Sequence, residues 1–120
     1  EICACLVGSE MCIRDRRDRG MTIRSEIFAD RGYDEEGHLL PRARTGAVIH
    51  NSKIVAERAL RMIHSNAIET LTGQLIPTTI DTICVHGDSP EAVTLAFDLR
   101  NALEADGIIV RAPVTLDCVP

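Results

Sequence analysis

Two short polar clusters interrupt the apolar stretches of this chain, and they hold most of its candidate chemistry. The first is Asp30-Arg31, after residues 22–28; the second is His86-Gly87-Asp88, after residues 82–85. His86 is a titratable group leaving a strand, which makes it a candidate acid or base, metal ligand or phosphate contact. Gly87 beside it leaves room for another molecule to approach the backbone. Asp30 is a second group for moving a proton or holding a metal, and Arg31 a cation for an anionic substrate. Asp88 has two readings. With Ser89, Pro90 and Glu91 it matches the chemistry of a helix start, either as N-cap with Glu91 three residues on, or preceding a Ser89 cap with Pro90 at the first helical position. The free N–H groups of such a start also attract an anion, so Asp88 belongs to a candidate substrate- or phosphate-binding set with Arg31 and Gly87. Asp30 and Arg31 are also placed to pair with each other. Glu26, in phase with Phe28 along a strand, would need a partner if it faced inward, and Arg31 is the natural one.

The elements that must position these groups follow from periodicity. Residues 22–28 read as a short strand, and 34–37 as a turn. Residues 39–50 form a loop with Pro41, Arg42, Arg44 and Gly46. Asn51 or Ser52 caps a helix running to about Ser65, with Val55, Ala59, Met62 and Ile63 on one face. Residues 67–71 and 74–77 flank Thr72-Gly73 as a hairpin. Residues 82–85 (TICV) look like a strand buried on both faces. A second helix places Ala92, Leu95, Ala96, Leu99, Ala102 and Leu103 at helical spacing and stops at Gly107. Residues 108–110 read as a last strand and 113–120 as a tail. Strands alternating with helices imply an α/β fold with parallel strands, whose chemistry sits beyond the carboxyl ends of the strands.

Composition narrows the function classes. The 120 residues carry 13 Lys+Arg and 18 Asp+Glu, a net charge of −5, with no basic cluster and three aromatics, Phe28, Tyr33 and Phe97. Neither a nucleic-acid nor an anionic-membrane surface is expected, and no apolar run is long enough to span a bilayer. Arg42 and Arg44 are able to grip a carboxylate or phosphate, although loop arginines are commonly just solvated. Cys84 reads as a small buried hydrophobe. His38, His50 and His64 read as surface residues without partners at metal-ligand spacing. No Walker-type loop or nucleophile elbow is present.

Residues 1–16 (EICACLVGSEMCIRDR) stand apart. They fit neither a signal peptide nor a metal site, and CLVGSEMCIRDR looks like translated sequencing adapter. They are expected to be non-native and to pack against nothing, with residues 17–120 forming part of one domain. Setting them aside leaves Cys84 and Cys118, which suits a reducing cytoplasm without disulfides.

Residues 25–50 (SEIFADRGYDEEGHLLPRARTGAVIH) and 81–93 (DTICVHGDSPEAV) resemble the LamB/YcsF family, the A-subunits of 5-oxoprolinase. The pair of motifs E-x-F-A-D-R-x-Y and C-V-H-G-D is specific, and the likeness spans about residues 18–112. It implies the C-terminal part of a distorted β/α barrel of the deacetylase-like kind, without the family's N-terminal motifs. It also implies that 5-oxoproline, ATP and water give glutamate, ADP and phosphate, together with subunits B and C. On the matching positions His86 or Asp30 would move a proton, Arg31 would offer a cation, and Gly87 with the helix start after Asp88 would offer N–H groups; no metal ligand is assigned. The alternatives are a metal-dependent hydrolase of the same barrel group, with His86 and Asp30 as ligands, or a non-catalytic interaction module. The chain on its own is expected to be inactive and poorly stable.

Overall fold

The computed structural model describes residues 10–112, apart from the side chains of 10–13. Its elements, in chain order, are α1 (Glu10–Asp18), β1 (Glu26–Phe28), α2 (Ser52–Ser65), β2 (Ala67–Glu69), β3 (Leu75–Pro77), β4 (Thr82–Cys84) and α3 (Ala92–Ala105). β1 and β4 pair in parallel, and β2 and β3 pair antiparallel around the turn at Thr72-Gly73. The expectation of an α/β fold with parallel strands is borne out. Cys3 and Cys5 of the adapter-like segment, and the tail at 113–120 with Cys118, lie outside the described residues. In α1, Arg14, Asp15, Arg17 and Asp18 are exposed.

The helix at 52–65 forms where its sequence puts it. Asn51 is the N-cap, its side chain accepting from the N–H groups of Lys53 and Ile54, which satisfies donors that lack an intrahelical partner. Asn66 ends the helix in the left-handed region at φ 48°, a conformation asparagine tolerates. Val55, Ala56, Ala59 of α2 and Leu95, Leu99, Leu103 of α3 bury together over Ala29, at the end of β1. A second cluster joins Ile27, Tyr33, Met62 and Ile68. Alternation along β1 therefore directs Ile27 and Ala29 toward the helices, and Glu26, Phe28 and Asp30 to the opposite face.

Several expectations are corrected here. The first strand is three residues rather than seven. β4 is only half-buried, because its one hydrogen-bonded neighbour among the described residues is β1. Residues 108–110 are not a strand: Ile109 and Val110 are exposed, and the N–H of Ile108 turns back to the carbonyl of Leu103 to close α3. Gly107, at φ +85°, supplies the reversal. Neither Asp88 nor Ser89 caps α3. The helix starts two or three residues later than the two capping patterns suggested, with Glu91 as an N-cap in helical conformation and no side-chain cap bond; the N–H of Ala92 meets the carbonyl of Ser89 in a turn instead.

Candidate active site at the ends of two parallel strands

The register of the parallel pair determines which side chains meet. Glu26 lies opposite Thr82 and Phe28 opposite Cys84, a constant offset of 56 residues in the chain. The next rung on the same face is Asp30 with His86. Each of these side chains faces away from the α2–α3 core, and two of the rungs are joined by side-chain hydrogen bonds: Thr82 Oγ1 donates to Glu26 Oε2 at 2.7 Å, and His86 Nδ1 lies 3.0 Å from both oxygens of Asp30. The His86 backbone N–H also donates to Asp30 Oδ2 at 3.3 Å. The imidazole stacks on Phe28, with ring centroids 5.4 Å apart and planes 18° from parallel.

This arrangement sets the tautomer. An ionised carboxylate only accepts, so Nδ1 carries the proton and Nε2 is left as the basic nitrogen. Asp30 is nearly buried and His86 about three-quarters so, and the carboxylate together with the Phe28 ring locks the imidazole in one orientation. Such a pair can take a proton from a nucleophile at Nε2 and return it to a leaving group. His86 Nδ1 and the Asp30 oxygens, 3.0 Å apart, are also close enough to be ligands of one metal ion, while the group of three possible ligands among the described residues lies elsewhere, at Asp34, Glu36 and His38.

Arg31 lies elsewhere than expected. It pairs with neither Asp30 nor Glu26. Its Nη2 donates to the carbonyl of Leu40 at 2.7 Å and its Nε to that of Ala47 at 3.0 Å. The buried guanidinium thus staples both ends of the 40–47 loop. Its near-complete burial explains the choice: a buried cation needs acceptors on all sides, and these carbonyls need donors. Glu26, exposed, has Thr82 instead.

Arg42 projects from that stapled loop and reaches Asp88, Nη1 to Oδ2 at 3.0 Å. The Arg42 guanidinium beside Asp88 holds its carboxyl below the usual carboxylate range. Asp30, Arg31, Arg42, His50, His86 and Asp88 all line one cleft, whose enclosed part is about 20 Å³, the room of a water molecule; the rest opens to solvent. The structure therefore brings Asp30, His86, Arg31 and Asp88 to one place. Gly87 lies between the last two site residues of the second strand end, and a Cβ there would meet nothing within 4 Å.

Sequence reasoning missed Arg58. It is buried in α2, donating to the carbonyls of Phe28 and Ala29 through Nη1 and of Glu69 through Nη2, and its guanidinium carbon sits 5.6 Å from the centre of the Tyr33 ring. Burial pulls its pKa down from the usual arginine value and pushes that of Tyr33 up. The Tyr33 hydroxyl accepts from the N–H of Phe28 at 2.8 Å. The signal was available: Arg58 falls at i+3 from Val55 and i−4 from Met62, on the apolar face. His38 is also better connected than expected, since ligating atoms of Asp34, Glu36 and His38 lie within 4.8 Å of one another. His64 pairs with Asp106 at 2.8 Å on the surface. Cys84 is half-buried rather than fully buried.

A parallel strand pair backed by two helices, with a carboxylate–histidine pair beyond its carboxyl ends, defines an α/β protein of the kind that acts through its strand-end residues. Comparison with known proteins places it more closely. The LamB/YcsF family profile matches residues 2–117, which includes most of the adapter-like segment. The chain belongs to the LamB/YcsF family. It is 55% identical over 96 residues to the A-subunit of 5-oxoprolinase from Gluconobacter oxydans (strain 621H), covering 80% of this chain and 38% of that protein. It is 51% identical over 94 residues to the protein of the same name from Azorhizobium caulinodans, covering 78% and 37%. The crystal structure of the lactam utilization protein from Thermus thermophilus superimposes with a TM-score of 0.78 at 35% identity, over 90% of this chain and 42% of that one. The chain thus spans less than two-fifths of the length of these two curated relatives. Among the described residues, no helix is long and apolar enough to cross a membrane.

Proposed function

We propose that this chain supplies the Asp30–His86 acid/base pair of an ATP-dependent enzyme that opens 5-oxoproline to glutamate, working with subunits B and C in the cytoplasm. The observation that carries the reading is the His86 ring, fixed by Asp30 at Nδ1 with Nε2 left basic. Its support comes from relatives named as the A-subunit of 5-oxoprolinase.

The chemistry suits such a pair. A five-membered lactam is resonance-stabilised and a poor electrophile, and ATP would supply the phosphoryl group that activates its carbonyl oxygen. The residues of this chain would do the proton work. Nε2 of His86 would accept a proton from the attacking water, Asp30 would stabilise the resulting imidazolium, and the same nitrogen would return the proton to the ring nitrogen as the C–N bond breaks; the acyl phosphate left on the opened chain would then be hydrolysed by a second water to glutamate and phosphate.

The test is turnover of 5-oxoproline by the complete enzyme with subunits B and C. His86→Ala should lower kcat by at least ~100-fold and barely change the melting temperature. Asp30→Asn should also lower kcat, because an amide can donate to Nδ1 and so invert the tautomer. Near-normal turnover in the His86 variant would remove the pair from the chemistry.

A further inference from the structure

We propose that Arg42 is the receptor for the carboxylate of the substrate, and that Asp88 occupies it as a stand-in when the site is empty. This rests on the 5-oxoproline reading above and deepens it, since that lactam carries a free carboxylate.

Three observations support it. First, Arg42 is the cation of the cleft whose guanidinium meets a side-chain carboxylate. Arg31 lines the same cleft but commits Nε and Nη2 to the Ala47 and Leu40 carbonyls, and so positions the loop rather than the ligand. Second, the base of Arg42 is held firmly. Besides the Arg31 staple, Gly32 donates to the Ala47 carbonyl and accepts from the N–H of Leu40, and Arg44 donates to the Pro41 carbonyl. Leu40 and Ala47, at the loop's two ends, are buried. An arginine on a rigid base loses less entropy on gripping an anion. Third, the present partner is a carboxylate already at 3.0 Å, with side chains 53% and 63% exposed. Exposed pairs of this kind are weak and easily exchanged. Asp88 has no capping duty in α3 to hold it there, and the same cleft contains His86. A carboxylate delivered to Arg42 would thus lie in one cleft with the basic nitrogen.

A structural latch and an anion receptor give opposite signatures, which the complete enzyme can separate. Arg42→Gln should raise the KM for 5-oxoproline roughly 10- to 100-fold, the range for losing a hydrogen bond to a charged group, with a smaller change in kcat. Asp88→Asn, which removes the competing carboxylate, should lower that KM by about 2- to 5-fold. Arg42→Lys keeps the charge without the fork and should fall between Arg42→Gln and the wild type. Binding of 5-oxoproline to the enzyme measured by calorimetry should follow the same order. If both Arg42→Gln and Asp88→Asn raise KM, or lower the melting temperature alike, the pair is only a latch and the proposal fails. A raised KM for ATP with an unchanged KM for 5-oxoproline would assign Arg42 to phosphate and also overturn it. Absence of any 5-oxoproline turnover in the wild-type enzyme would instead overturn the function on which it rests, whereas normal turnover with an unaltered KM in Arg42→Gln would sink this inference alone.

Discussion

The segments that follow β1 and β4 arrive at the same cleft but are built differently. After β1, residues 29–33 are all buried, and their polar groups are matched from several directions. Arg58 reaches the Phe28 and Ala29 carbonyls, Arg31 reaches Leu40 and Ala47, and the Tyr33 hydroxyl takes the N–H of Phe28. After β4, residues 86–91 are half-buried or exposed, and α3 starts without a side-chain cap. The contrast separates two tasks of a site. One strand end is over-determined and holds Asp30 so that it can orient His86. The other is open, and it is where Gly87 and Asp88 meet solvent and a ligand has access.

The largest effect should come from loosening the over-determined side. Arg58→Ala would leave three carbonyls without their donor and should destabilise the fold by ~2–4 kcal/mol in denaturant unfolding. Arg58→Lys should recover only part of this, since a lysine lacks the fork that reaches two strands at once. An Arg58→Ala protein as stable as the wild type would mean that the first strand end is no more constrained than the second.

A paired glycine experiment sharpens the comparison. A Cβ on Gly32 would sit 2.4 Å from the carbonyl oxygen of Gly46 and 3.1 Å from Leu40 Cδ1. Gly32→Ala must therefore push the 40–47 loop outward, at a cost of roughly 1–3 kcal/mol. Gly87→Ala meets open space and should change stability by no more than about 0.5 kcal/mol, while lowering activity if substrate approaches that backbone. Equal melting temperatures for the two variants would erase the distinction.

The smallest expected effect is a pH dependence from the bond between α2 and β2, next to the Arg58 contact with Glu69. The Arg61 guanidinium, hydrogen-bonded to Glu69 through Nε at 2.9 Å and Nη2 at 3.0 Å, holds that carboxyl below its ordinary value of 4.5. A carboxyl lowered by folding stabilises the protein above its unfolded pKa, and that contribution is lost as pH falls through the folded value. The pair is largely exposed on the arginine side, so it is worth less than about 1 kcal/mol. The melting temperature should decline modestly below pH 4.5, and Glu69→Gln should remove that component of the decline. A wild-type curve and a Glu69→Gln curve of the same shape would show that the bond between α2 and β2 contributes nothing.

Much of this protein is determined locally and is therefore legible in the residues themselves. The helix at 52–65 is specified by Asn51, by an apolar face and by Asn66 at its end. The hairpin is specified by Thr72-Gly73, and α3 by its leucine spacing and Gly107. Asp30 and His86 were identifiable as polar groups leaving two strands, because the strand–helix alternation is a property of periodicity. The tertiary structure alone decided how those groups combine. A parallel register is a long-range fact, here an offset of 56 residues, and it made Asp30 the partner of His86 rather than of Arg31. The loop that folds back over β1 turned Arg31 from a ligand-binding cation into a staple, since its position was so buried that only carbonyls could accept from it. Asp88 had a sufficient local reason to cap α3, yet an arginine 46 residues earlier in the chain took its carboxylate, and the helix began at Ala92 instead. Capping depends on residues two or three apart, whereas the ion pair across the cleft depends on where the stapled loop comes to rest.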